Sequence, residues 1–175
     1  ENVRAGRQRP GLMRQHVTSV QAAAAVGGAQ VEGATLGSGT VDFRPSGLQP
    51  GRYEFAVGTA GSTTLVLQTV LLPLLLASAP SELIIDGGTH NTQAPPYDFL
   101  ARALLPLLER MGAKVDLRLE RAGFYPAGGG RIVAAIEPVS RLAPLALFGR
   151  GEIRRTGARA LLANLPHGIG IRELD

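Results

Sequence analysis

The 175-residue chain has no cysteine and no tryptophan, and aromatic residues make up only 5% of it. Without cysteine there can be no disulfide, no thiolate metal site and no thiol nucleophile, and the composition suits a reducing, cytoplasmic setting. Long apolar runs are also missing. The longest, residues 65–79, is interrupted by Gln68, Thr69 and Pro73, and it falls short of the roughly 18–20 apolar residues that a membrane-spanning helix needs. It reads as a buried helix, and no membrane partner is expected. No charged-then-apolar leader is visible and the first residue is Glu1 rather than Met, so the chain reads as a fragment lacking its N-terminal segment.

Apolar residues are plentiful, at 45%, enough to bury a core within one or two domains. Lys and Arg total 18 against 14 Asp and Glu, a net charge of +4, and the excess is uneven. Arg4, Arg7, Arg9 and Arg14 fall within the first sixteen residues against one acid, Glu1. Such a cluster favours an anionic partner, a phosphate or a nucleic acid.

Two short strings recur in the same order. Gly28-Ala29-Gln30-Val31-Glu32 returns 84 residues later as Gly112-Ala113-Lys114-Val115-Asp116, and Phe43-Arg44-Pro45-Ser46-Gly47 returns 81 residues later as Phe124-Tyr125-Pro126-Ala127-Gly128. The spacing suggests a duplicated supersecondary unit. The fuller copy reads as a strand at 52–57 and a helix from Ser62, whose hydroxyl can cap it. A strand at 82–86, a helix at 97–111 ended by Gly112, and strands at 114–120 and 131–137 complete it. The expected class is α/β (α+β), built from strand–helix–strand–helix–strand–strand units, each a small sheet with two helices. On the first copy the same order leaves a strand at 2–3, a helix at 10–26 and strands near 30–32 and 41–43. A new strand is expected at 145–153. The expected boundaries are 1–48 for the second half of one repeat, 49–144 for a whole repeat, and 145–175 for the start of a third repeat or of an inserted small domain.

The helix predicted at 10–26 starts on Pro10 and puts Arg9 at its capping position, a poor cap that leaves first-turn N–H groups for a phosphate. Arg4, Arg7 and Arg14 can add forked, charge-assisted hydrogen bonds. Met13, Val17, Val20 and Ala24 form its expected buried stripe, with His16 at the edge, either a phosphate contact or a packing residue. Gly58-Thr59-Ala60-Gly61-Ser62 joins a strand to a helix, as a plain tight turn or as a holder of phosphate or sugar oxygens. Gln68, an amide in an otherwise apolar helix, must bond neighbouring backbone or reach a ligand. Pro95, Pro96, Tyr97 and Phe99 form either a wall for a planar base or a packed entry to the next helix. His90 and His167 have no histidine or carboxylate at metal-ligand spacing, and no metal site is expected on them.

The arginine-bearing helix start, the Gly-Thr-Ala-Gly-Ser turn with the helix holding Gln68, the Gly-Gly-Thr and Ala-Pro-Pro-x-Asp-Phe segment, and Gly-Phe-Tyr-Pro-Ala-Gly-Gly-Gly follow one another along nearly the whole chain. In this order they resemble the RNA 3′-terminal phosphate cyclases. The resemblance implies a ligase that uses ATP and a divalent cation, Mg or Mn, to turn the 3′-phosphate of an RNA into a 2′,3′-cyclic phosphodiester. AMP passes from an enzyme histidine to the RNA phosphate, and the neighbouring 2′-hydroxyl then expels it. By motif match, Arg4, Arg7, Gln15 and His16 are expected to hold phosphates or the RNA end. Gln68, Pro95 and Phe99 are expected to line the adenylate pocket, with Asp98 nearby, in a cleft shared with the arginines. The resemblance puts the histidine nucleophile far toward the C-terminus, beyond this chain, so no catalytic nucleophile is assigned and the fragment is expected to be inactive alone. Ala122 stands where a basic residue is usual, although Arg121 is adjacent. Two other readings stay open: a non-catalytic, RNA-binding relative acting in ribosome assembly, and an enolpyruvyl transferase.

Overall fold

A computed structural model of the chain describes residues 1–174. They form two compact units, residues 1–145 and residues 146–174. The first unit holds α1 (Arg14–Gly27), β1 (Gln30–Glu32), β2 (Asp42–Arg44), β3 (Arg52–Ala56), α2 (Thr63–Leu75), β4 (Ser81–Gly87), a helical span α3 over residues 97–110, β5 (Lys114–Arg121) and β6 (Gly130–Glu137). The second contains one short helix, α4 (His167–Arg172).

β1 and β2 form an antiparallel ribbon, and the other four strands form a sheet in the order β3-β4-β6-β5. β3 and β4 are parallel and joined through α2, whereas β6 runs antiparallel to both of its neighbours. From β3 onward the order is strand–helix–strand–helix–strand–strand, as the fuller sequence copy predicts. α2 starts where Ser62 Oγ accepts the N–H of Leu65. It packs against both α1 and strands β4 and β6, which is why it is apolar on nearly every face. Leu67, Leu71, Leu74 and Leu75 are fully buried there and join Leu83, Ile85, Ile132 and Ile136 of the sheet with Leu100 of α3 in one core.

Several expectations need correction. Residues 2–3 form no strand: Val3 exchanges backbone hydrogen bonds with Gly39 and Gly11 across a loop. α1 begins at Arg14, four residues after Pro10, with Met13 and not Arg9 at the cap. Its buried face is Thr18, Ser19, Ala22 and Val26, whereas Val17, Val20 and Ala24 are only half-buried. α1 packs against α2, whose buried residues are mostly bulky leucines and valines, and small side chains on α1 suit that close approach. α3 is α-helical over Tyr97–Phe99, π-helical over Leu100–Leu104, and α-helical again over Leu105–Arg110. Pro106 has no N–H to give, and just before it the Leu105 N–H reaches back to the Leu100 carbonyl.

The second repeated string falls on unlike places. Phe43 lies in β2, whereas Phe124 lies in the turn between β5 and β6. The first string holds, since Gly28 caps α1 and Gly112 follows α3, each leading into a strand. Residues 145–153 form no strand either. Among the described residues they have no ladder partner, and Leu147, Phe148 and Ile153 stand exposed, so the alternating pattern has nothing to pair with.

Candidate functional site

The connections that leave the C-terminal ends of the parallel strands β3 and β4 lie side by side, the place where open α/β sheets bind ligands. The β3–α2 turn contributes residues 58–62 and the β4–α3 loop residues 88–96. Ser62 forms a parallel bridge with Gly88, and the Thr63 N–H donates to the Gly88 carbonyl. A third piece, the β5–β6 turn, is pressed onto them. A Cβ on Gly88 would lie 2.1 Å from the Ala60 carbonyl oxygen, and one on Gly128 would lie 2.8 Å from both Ala60 Cα and the Thr59 oxygen. At these two positions only glycine lets backbone meet backbone.

Charged and polar side chains fix the assembly. Arg131, next to Gly130, forms a two-pronged ion pair with Asp86, next to Gly87, at 2.9 Å for each prong. These hydrogen bonds hold the Asp86 carboxyl below the usual carboxylate range against the opposing effect of burial. Thr89 accepts the N–H of Gly123 at 2.9 Å and contacts His90 Nδ1 at 2.8 Å. His90 Nε2 lies 3.3 Å from Asp98, and its ring stacks on Phe124 at 5.0 Å. Asp98 also pairs with Arg102. The Asn91 amide donates to the Ala60 carbonyl.

These pieces enclose a cleft of about 490 Å³, floored by residues 59–61, walled by residues 90–94, and bordered by Gln15, Tyr125 and Pro126. Its lining has no carboxylate, lysine or arginine. A second basin of about 480 Å³ is lined by Arg4, Arg7, Arg9 and Met13, among others, and is strongly cationic. The start of α1 connects the two, its cap residue Met13 lining the basin and Gln15 of its first turn lining the cleft.

The sequence-predicted residues divide accordingly. Arg4 lies in the basin and clasps its own loop, donating through Nη1 to the Arg9 and Gly11 carbonyls at 2.8 and 2.7 Å. Arg7 lies in the basin, exposed. Gln15 is in the cleft, its Oε1 accepting the Ser62 N–H at 2.9 Å, and so ties α1 to the β3–α2 turn. His16 Nδ1 accepts the Met13 N–H at 3.1 Å, while the N–H groups of Arg14 and Gln15 meet no acceptor among the described residues. Gln68 satisfies itself locally, donating to the Thr64 carbonyl at 3.1 Å, and the Thr64 hydroxyl donates to the Pro95 carbonyl at 2.7 Å. Gln68 and Pro95 are thus neighbours through Thr64. Asp98 serves the His90 and Arg102 contacts, and Phe99 is 51% exposed. Arg4 and Arg7 do not line the cleft that Gln15 lines.

Thr64, Thr89, His90 and Asn91 escaped sequence reasoning as site builders. The Gly-Gly-Thr-His-Asn string reads as a turn, and what signals more is a threonine and an asparagine placed straight after two glycines at a strand's end. Among the described residues no three His, Cys, Asp or Glu converge. Among the described residues no helix is long and apolar enough to cross a membrane.

Burial, followed by the positive charge of Arg4, lowers the His16 pKa below its ordinary 6.5. Above 6.5 both folded and unfolded chains keep this ring neutral, and the shift contributes nothing. As pH falls through 6.5 the unfolded chain takes up a proton that folded His16 refuses until lower pH, so folding stability declines. Urea denaturation at pH 7.5 and 5.5 is expected to show a loss at the lower pH that His16→Asn reduces. An unchanged pH dependence in the variant would refute it.

A profile of the RNA 3′-terminal phosphate cyclase family matches residues 1–163. An RNA 3′-terminal phosphate cyclase of Koribacter versatilis is 57% identical over 175 residues, the whole chain and 49% of the relative. Proteins of the same description from Ralstonia nicotianae and Salmonella agona are 54% and 51% identical, over 100% and 98% of the chain and 51% and 50% of each relative. The chain spans about half the length of these curated relatives. It belongs to the RNA 3′-terminal phosphate cyclase family.

Proposed function

We propose that the chain supplies the RNA-end-binding half of an RNA-processing ligase that uses ATP to convert a terminal 3′-phosphate into a 2′,3′-cyclic phosphodiester. The observation that carries this reading is the cationic basin of Arg4, Arg7 and Arg9, joined by the start of α1 to an uncharged cleft. Guanidinium groups bind phosphate oxygens in fork geometry, and here they offset the repulsion between an anionic RNA end and an incoming adenylate. With Nδ1 accepting from Met13, neutral His16 carries its proton on Nε2, which makes it a hydrogen-bond donor to phosphate and not a nucleophile. The free N–H groups of Arg14 and Gln15 point the same way.

Gln68, Pro95, Asp98 and Phe99 are proposed to border the adenylate, with Gln68 Oε1 left to accept a hydrogen bond once its amide nitrogen is used by Thr64. With no carboxylate or imidazole cage among the described residues, a divalent cation is expected to be held mainly through nucleotide phosphates, and no step is assigned to it. His90 has both ring nitrogens engaged and is not assigned as nucleophile either.

Two measurements test the reading. The chain is expected to bind an oligoribonucleotide ending in a 3′-phosphate at least roughly tenfold more tightly than the same strand ending in a hydroxyl, about the value of one charged hydrogen bond. Equal binding would overturn it. Incubated with ATP labelled at the α-phosphate, the chain alone is expected to form no protein-bound AMP. A stable covalent adenylate would show that a nucleophile lies within residues 1–175.

A further inference from the structure

We propose that the uncharged cleft is a nucleoside subsite, in which the base of the 3′-terminal nucleotide stacks on Tyr125 while its phosphate lies in the arginine basin. The inference rests on the RNA-end reading above and adds which part of the substrate the cleft takes. The lining chemistry comes first. Amides, hydroxyls, an imidazole and an aromatic ring without a formal charge suit a base and sugar, whereas the neighbouring basin, with three arginines, suits a phosphate. A cleft of about 490 Å³ has the size of a small-ligand site.

The presentation of Tyr125 comes second. Its side chain is 84% exposed at the rim of the cleft, the most exposed aromatic residue of the first unit. The turn beneath it is tied down at several points. Phe124, directly before it, is bridged to His90 and Gly128 and has its ring stacked on His90. The Gly128 N–H closes the turn on the Phe124 carbonyl at 2.7 Å, and Gly128 itself is wedged against Thr59 and Ala60. With Phe124 turned inward, Tyr125 faces out and has no aromatic partner among the described residues. An aromatic face of this kind accepts any base, because every base has a π-face, so stacking here contributes affinity without sequence preference.

The geometry of supply comes third. Met13, the residue that caps α1, lines the phosphate basin, and Gln15, in the first turn of α1, lines the cleft, so the two sites meet at the start of this helix. A nucleotide with its phosphate on one side and its base on the other spans such a divide. The residues proposed for the adenylate, Gln68, Pro95, Asp98 and Phe99, are not among those lining this cleft.

The test is equilibrium binding of the 175-residue chain to 3′-phosphorylated oligoribonucleotides by fluorescence anisotropy, with a normal or an abasic terminal nucleotide. Tyr125→Ala is expected to weaken binding of the normal strand roughly 5- to 100-fold, the range that base–aromatic stacking spans. Removing the terminal base is expected to weaken wild-type binding by a similar factor and to leave Tyr125→Ala almost unaffected, and Tyr125→Phe is expected to retain wild-type affinity. If the 3′-phosphate preference persists while neither Tyr125→Ala nor the abasic end changes affinity, the subsite is wrong and the RNA-end reading stands. If the 3′-phosphate preference is itself absent, that reading fails first. Should Tyr125→Ala leave RNA binding unchanged and abolish self-association in sedimentation velocity, the ring is a protein contact and the proposal is overturned.

Discussion

Gly128→Ala is expected to cost the fold about 2–5 kcal/mol, the sum of a left-handed backbone forced on a side-chain-bearing residue and of an overpacked contact. Gly128 has φ +70°, and its added methyl group would lie 2.8 Å from Ala60 Cα and the Thr59 oxygen, both main-chain atoms. Neither can swing aside as a flexible side chain would. The β5–β6 turn must therefore lift from the β3–α2 turn, and the cleft between them must change shape. Gly129 provides the control, since it has nearly the same φ, +67°, but nothing within 4 Å of its added Cβ. Gly129→Ala is expected to cost about 1–2 kcal/mol, the backbone penalty alone. Urea midpoints of the two variants measure the difference. Equal destabilisation would mean that the turns do not bear on each other as described.

That contact explains why part of the site was legible in the sequence and part was not. The glycine-bearing strings at 58–62 and 123–130 stand out because glycine is used where backbones approach closely, and both lie at the cleft. Which backbone each approaches is a tertiary fact, and no spacing along the chain encodes it. The strands from β3 to β6 were readable because alternation in a half-buried strand is a local consequence of the pleat. The start of α1 was misread for the opposite reason. Pro10 is a good first-turn residue in general, but Gly11 is held against Gly37 and Arg4 clasps the Gly11 carbonyl, so the chain cannot enter the helix until Met13. The buried face of α1 shows the same override. By hydrophobicity alone Val17 and Val20 should face the core, whereas the buried face carries the small Thr18, Ser19 and Ala22 alongside Val26, on a helix that packs against α2. Gln68 was readable as a demand for a partner but not as to which one, because a helical amide can turn back on the carbonyl four residues earlier and does so here.

Arg4 and Arg7, neighbours in the same basin, are expected to respond very differently to removal. Arg4 gives two charge-assisted bonds to the carbonyls of Arg9 and Gly11, so Arg4→Ala opens the loop that forms the basin as well as removing a cation. Its expected cost is about 1.5–3 kcal/mol of stability, with roughly ten- to hundredfold weaker binding of a 3′-phosphorylated RNA. Arg7 is exposed and makes no such bond among the described residues, so Arg7→Ala is expected to leave stability within about 0.5 kcal/mol and still weaken RNA binding. Salt titration separates the electrostatic part: each lost phosphate contact reduces the slope of log affinity against log salt by about 0.7 for a single strand. Arg4→Lys keeps the charge but lacks the other guanidinium nitrogens that stay available to a phosphate while Nη1 holds both carbonyls, so it is expected to fall between wild type and alanine. If Arg7→Ala binds the 3′-phosphate end as tightly as wild type, with an unchanged salt slope, Arg7 does not face the substrate. Phosphate binding in the basin would then rest on Arg4 and Arg9, the other two cations that line it.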